Sequence, residues 1–196
     1  MLDLYFKFIL NDDDTYLGVE HDKRIVEEWI KHNYFFTGKL FISDDLDVHC
    51  SGEVHIKNKS IESLTNGLFR WGGVSGEFNC SFCNNITTLE GAPKCVGGYF
   101  NCTGCKNLTT LEGAPEEVDG YFYCSFCEKL ENLKGAPKIL KGIFYCNDCI
   151  NLKSLEGVPE VEGGKFVYSN CPNLKITDSD RRKYKMRDYS IINYIF

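Results

Sequence analysis

The feature that most constrains this chain is a recurrence at a fixed interval of 22 residues. Phe78, Phe100, Phe122, Phe144 and Phe166 are spaced by it, and so are Cys83, Cys105, Cys127, Cys149 and Cys171. Ile86, Leu108, Leu130, Leu152 and Leu174 keep the same step. Pro93, Pro115, Pro137 and Pro159 close the first four units, each after Gly-Ala or Gly-Val. Five units in register without a gap mean an array of one supersecondary unit, not a single irregular core.

Each unit reads V-x-G-x-F-x-C-x-x-C-x-x-L-x-x-L-x-G-A-P. Along Tyr99-Phe100-Asn101-Cys102-Thr103 the pattern alternates, which predicts a short strand with Phe and Cys on one side and Tyr, Asn and Thr on the other. Leu108 and Leu111, three apart, predict a tight return segment resembling one 3₁₀ turn. Gly113-Ala114-Pro115 ends it, with glycine free to adopt positive φ and proline barring a helix. Strand, turn, return and turn make one coil. A single coil cannot bury its own apolar side, so coils must stack on one another.

These units resemble the cysteine-containing form of the leucine-rich repeat, with Cys105-Lys106-Asn107-Leu108 as the C-x-x-L after the strand. They are most similar to short repeat proteins built from GGYFNCSxCxNLTTLEGAP units, widespread in tailed phages and some large viruses. The departure lies at the first core position, Val96, Val118 or Leu140, with phenylalanine at the next; that alters core size and not architecture. The resemblance implies an α+β, mainly β, leucine-rich-repeat-like solenoid of about five 22-residue coils. It also implies a viral (bacteriophage) product acting in a host cytoplasm on a host protein.

Three segments follow. Residues 1–50 read as an N-terminal cap of strand, helix and strand, with Asp22 as N-cap and an apolar stripe of Ile25, Val26, Trp29 and Ile30. Residues 51–177 form the solenoid, opened by an irregular unit. There Val54–Leu64 looks like a strand and return three residues short, and Asn66–Gly73 replaces the proline turn. Residues 178–196 read as a C-terminal cap whose apolar tail, Tyr184 to Phe196, plugs the end of the stack.

The C-x-x-C pairs pose the main chemical question. Cys102/Cys105 followed by Cys124/Cys127 has the spacing of a zinc site. The repeat supplies another reason for both residues. Cys102 points inward two positions after Phe100, and Cys105 lies where leucine-rich repeats hold Asn or Cys against a turn. Stacked strands are about 4.8 Å apart, wider than zinc–sulfur bonds of about 2.3 Å favour unless rotamers converge. The fifth unit also has Tyr168 in the first cysteine's slot, which suits a core margin better than a ligand. Packed free thiols, with no metal and no cofactor, are therefore the expectation; a zinc or redox centre on these pairs is the alternative. Cys50 and Cys95 lie off the ladders without a readable role.

Composition narrows the function class. Hydrophobic residues make up 43% and aromatics 14%, enough for a core. The net charge of −6 argues against nucleic-acid binding through phosphate neutralisation. Nothing approaches a bilayer-spanning run, and the start has Asp3 and Lys7 where an export signal would not. A cytoplasmic location follows, with its eleven cysteines reduced. Catalysis finds little support. His21, His32, His49 and His55 all precede the regular units, and no phosphate-cradling loop, H-E-x-x-H or G-x-S-x-G occurs. The Asp12–Asp14 and Asp44-Asp45 clusters lack a calcium-loop frame.

What remains is the outward side of the strands, in three columns. The first holds Glu77, Tyr99, Tyr121, Ile143 and Lys165. The second holds Asn79, Asn101, Tyr123, Tyr145 and Val167, and the third Ser81, Thr103, Ser125, Asn147 and Ser169. Four tyrosines gather in the middle, a residue type enriched at binding hot spots, although aromatics also favour strands for their own sake. The expected partner-binding residues are Glu77, Tyr99, Asn101, Tyr121, Tyr123, Tyr145, Asn147 and Lys165. Fifteen outward positions fall short of the roughly 20–30 of a standard interface, so a partner also touches an edge, such as the acidic cap or the basic Arg181–Arg187 segment. The reading is a monomeric, non-enzymatic module that binds a protein and blocks or redirects it; a structural component of a virus particle is a further alternative.

Overall fold

The computed structural model describes residues 19–159 and 166–183. Helix α1 (Val19–Asn33) leads into two sheets, to each of which the coils up to Tyr145 contribute a strand apiece. The longer sheet has the spatial order β1 (Tyr34–Phe36), β4 (Val54–Ile56), β6 (Phe78–Asn79), β8 (Phe100–Asn101), β10 (Phe122–Tyr123), β12 (Phe144–Tyr145) and β13 (Phe166–Val167). The shorter runs from β2 (Leu40–Ile42) through β3 (Asp47–Cys50), β5 (Arg70–Val74), β7 (Cys95–Val96) and β9 (Glu117–Val118) to β11 (Ile139–Leu140). Antiparallel pairing is confined to the N-terminal end, where β1 meets β4 and β2 meets β3; the repeats pair in parallel. The result is a mainly β solenoid of the leucine-rich-repeat-like kind.

Register follows the 22-residue step. Phe78, Phe100, Phe122, Phe144 and Phe166 are successive partners in one sheet, and Val74, Val96, Val118 and Leu140 in the other. The expected coil had one strand; the structure has two. The second, at Cys95-Val96 and its copies, is only two residues long, too short to show alternation in a sequence. The expected 3₁₀ segment consists of separate tight turns. In one, the Leu108 N–H donates to the Cys105 carbonyl (3.0 Å); in the next, the Ala114 N–H donates to that of Leu111 (2.9 Å).

The two strands of a coil meet at Gly98, Gly120 and Gly142, where coils nearly touch. A Cβ on Gly142 would stand 2.2 Å from the Gly120 carbonyl oxygen, so only glycine fits. The proline turn uses glycine differently: Gly113 has φ +86°.

Inside, the phenyl rings stack with centroids 5.7, 5.2, 5.0 and 5.6 Å apart. Both cysteine ladders lie beside them, buried except for the half-buried Cys171 at the end. From the second repeat onward, the second-ladder cysteine donates its S–H to the carbonyl of the first cysteine one coil back. Cys105 does so to Cys80 (3.2 Å), Cys127 to Cys102 (3.4 Å), Cys149 to Cys124 (3.2 Å) and Cys171 to Cys146 (3.2 Å). Each thiol thereby gives a turn carbonyl a donor from the neighbouring coil. On the surface beside them, the side-chain amides of Asn107, Asn151 and Asn173 donate to carbonyls of the previous coil.

One conformational demand was not legible. The residue between the cysteines adopts positive φ in every coil: Phe82 (60°), Gly104 (72°), Phe126 (58°), Asp148 (57°) and Asn170 (49°).

The ends differ in detail from expectation. Asp22 lies within the first turn of α1 rather than capping it. Val26, Trp29 and Ile30 are buried against the stack, whereas Ile25 is only half-buried. In the irregular coil the turn between Ile56 and Ile61 is one residue shorter than that between Cys80 and Ile86, not three. Asn58 takes the cysteine's place, its carbonyl accepting from the Ile61 N–H. Helix α2 (Asp178–Lys183) follows Thr177, whose hydroxyl accepts from the Asp180 N–H while the Asp180 carboxylate accepts from the Thr177 N–H, a capping box. The strand expected before α1, Lys165 and the tail 184–196 lie outside the described residues. No helix among the described residues is long and apolar enough to cross a membrane.

Two stability predictions follow from the core. Phe122→Ala removes the middle ring of the stack and should cost about 3–5 kcal/mol, read as a lower denaturation midpoint in urea. Burial pushes the Cys80, Cys102, Cys124 and Cys146 thiols well above their ordinary 9.0 and Cys83 up to about 12. These five thiols ionise first in the unfolded chain. They outnumber Cys105 and Cys171, which hydrogen bonding to Cys80 and Cys146 shifts down, so the native chain holds more protons above pH 9.0. Stability should be level at lower pH and fall as pH rises beyond that value, less steeply in Cys124→Ala, when followed by urea titrations across the range.

Candidate functional site

Since Phe and Cys face inward on the longer sheet, the alternate residues of the same strands face solvent. The four tyrosines meet there. Tyr123 and Tyr145 stack with centroids 4.9 Å apart and planes 10° apart. Tyr99 packs edge-on to Tyr123 at 5.8 Å. Tyr121 does so to Tyr123 at 6.0 Å and to Tyr145 at 6.1 Å. Tyr121 is the most open at 44% exposure. Burial, aided by the neighbouring Glu77 carboxylate, holds the Tyr99 phenol above its ordinary range, so it stays neutral.

The expected polar members divide. Glu77 joins the cluster as a carboxylate that acts on the Tyr99 phenol and lies 2.9 Å from His55 Nε2. Asn101 lies beside Tyr123 in register, but its Oδ1 accepts from the Thr103 N–H at 2.9 Å. Its amide oxygen is therefore committed to an Asx turn. Asn147 is tied along its own column: its N–H donates to Ser125 Oγ (3.1 Å) and its Oδ1 accepts from Ser169 (3.0 Å). Lys165 lies outside the described residues.

Two extensions of the face escaped the sequence reading. Val54-His55-Ile56 continues the strand pattern, and the register Phe35–His55–Asn79–Asn101–Tyr123 carries the second column up to an exposed Phe35. The alternation in that tripeptide was the available signal. Along the other margin, Phe82 and Phe126 stand out at 59% and 51% exposure. Gly104 lies between them in the repeat, and a Cβ there would come 2.6 Å from the Phe82 ring. The ring thus lies over the glycine.

The outward column of the shorter sheet is Phe41, His49, Gly73, Cys95, Glu117 and Ile139. It borders a shallow groove of about 500 Å³. Cys95, without a readable role in the sequence, is thus an exposed groove residue. Cys50 is buried and donates to the Thr37 carbonyl at 3.2 Å.

Among the described residues, one set of three metal-capable side chains brings its donor atoms within 4.8 Å of one another: Glu53, His55 and Glu77. The C-x-x-C sulfurs form no such set; they face backbone carbonyls.

A scan of protein-family models and searches of curated proteins and of solved structures found no match to the chain.

Thiol accessibility checks this arrangement. With a chromogenic disulfide reagent on the native, reduced chain, Cys95 should react first and Cys171, half-buried, more slowly. The nine buried thiols should react only on unfolding, and Cys95→Ser should remove the fast phase alone.

Proposed function

We propose that the chain is a non-enzymatic protein-binding module whose contact surface is the tyrosine-bearing face of the longer sheet. The observation that carries this reading is four tyrosine rings in mutual contact on the solvent side of strands whose other side holds the core. Strand propensity alone would favour aromatics along the whole column. Instead the second column reads Phe35, His55, Asn79, Asn101, Tyr123, Tyr145, Val167, with tyrosine only at two adjacent rungs.

Rigid aromatic area with hydroxyl handles is what a hot spot needs, because few rotamers are lost on contact. Exposed Phe35 at one end and Phe82 and Phe126 along a margin enlarge the surface beyond the fifteen strand positions. That bears on the shortfall against a standard interface. The resemblance to short repeat proteins of phages and large viruses supports reading the partner as a host protein that is blocked or redirected.

The test is affinity capture from a host extract, followed by calorimetry with the purified partner. Tyr121→Ala/Tyr123→Ala should weaken binding about 30-fold or more, with a nearly unchanged melting temperature. Ile139→Ser, on the other sheet, should bind normally. Equal affinity for the tyrosine double variant would rule out this face.

A further inference from the structure

We infer that Glu53, His55 and Glu77 form a binding site for one transition-metal dication of the zinc type, at the N-terminal end of the tyrosine face. The sheet brings the donors together. Val54 pairs with Phe78, so Glu53 and Glu77, one residue before each, stand side by side on neighbouring strands. His55 lies two residues beyond Glu53 and shares its outward side. Its Nε2 is 2.9 Å from Glu77 Oε1 and 3.7 Å from Glu53 Oε2.

Two carboxylates directly across a strand pair repel each other. Among the described residues His55 is the single basic group within ion-pair distance of either. Lys57, the cation just after that strand, is turned away: it donates to the Lys31 carbonyl at 3.0 Å and lies over the Phe35 ring. A dication resolves that repulsion, and these donors suit one. Tetrahedral ligands bonded at about 2.0–2.2 Å lie about 3.3–3.5 Å apart, between the two separations observed. An imidazole with two carboxylates favours zinc or its neighbours over magnesium or calcium, which prefer all-oxygen shells. Three protein ligands leave a fourth position open.

Burial and the neighbouring Glu77 carboxylate together hold the Tyr99 phenol protonated, so it stands beside the donors as a neutral group that can steady that carboxylate. It is a positioning residue. The site stands on its own donors and does not depend on the tyrosine face having a partner.

The experiment uses the full chain, reduced and stripped by chelator, titrated with zinc chloride by calorimetry and with cobalt(II) by absorbance. One ion per chain is expected. Cobalt should give d–d bands without the near-ultraviolet charge-transfer band of thiolate ligation. Glu77→Gln and His55→Ala should each weaken binding at least tenfold, and Tyr99→Phe about tenfold, with melting in the absence of metal unchanged. Absence of binding at millimolar metal, binding that survives His55→Ala, or a sulfur charge-transfer band would each overturn the assignment. The first outcome would leave an ordinary imidazole–carboxylate pair.

Discussion

Lateral hydrogen bonding between coils 22 residues apart sets everything else in this molecule. The Phe100 N–H donates to the Tyr121 carbonyl and the Cys102 N–H to that of Tyr123, while in the other sheet the Asp119 N–H donates back to Val96. Such a ladder fixes the rise at about 4.8 Å per coil, so equivalent side chains must stack directly on one another. Phenyl rings accept that spacing by offsetting, and thiols accept it because they are small and can each donate to a carbonyl. A one-residue slip would turn the phenylalanines outward and the tyrosines inward. Gly98, Gly120 and Gly142 guard against a different failure, since any side chain there would wedge the coils apart.

Charged residues follow the same step without holding the stack together. Lys106–Glu128, Lys134–Glu156, Lys138–Glu116 and Lys153–Glu131 are each one coil apart, with separations of 2.8–3.2 Å. All are solvent-exposed, where such pairs contribute about 0–1 kcal/mol each. Their value lies in register: a one-residue slip would set Lys134 against Leu155 or Gly157 and Lys153 against Asn132 or Leu130, and those pairs would be lost. The buried ladder carries the stability, and the exposed one adds to it in the right alignment.

Legibility tracked how strongly a position repeats. The inward Phe, Cys and Leu positions recur in unit after unit, so the stack and its core were readable from the interval alone. The second strand was not, because two residues such as Glu117-Val118 cannot display a period. Nor was the left-handed backbone between the cysteines. Gly104 and Asn170 hint at it, but Phe82 and Phe126 in the same slot mask it. On the face, the tyrosine columns came directly from alternation. That the Oδ1 atoms of Asn101 and Asn147 close local bonds is something the alternation does not show. The Glu53–His55–Glu77 constellation was hidden for a different reason: its irregular coil has Asn58 in the cysteine slot and a shortened turn, so it does not align with the repeat by eye.

Variation within the repeats separates what the fold requires from what it leaves free. Inward positions hardly vary because each must fill the same slot. Outward positions change from Glu77 to Tyr99, Tyr121 and Ile143, since the ladder imposes no identity there. The slot between the cysteines breaks that division. Its backbone demands positive φ, a conformation that costs most non-glycine residues about 1–2 kcal/mol, and glycine or asparagine serve in two of the five coils. Phe82 and Phe126 take on the strain and still leave their rings in solvent beside the tyrosine face. Phe82 contributes packing over Gly104, which explains one ring. A bulky aromatic at a strained, exposed position is otherwise a poor choice for stability. Its presence at the margin of an aromatic face is what the proposed binding function would ask of that surface, and not what the stack needs.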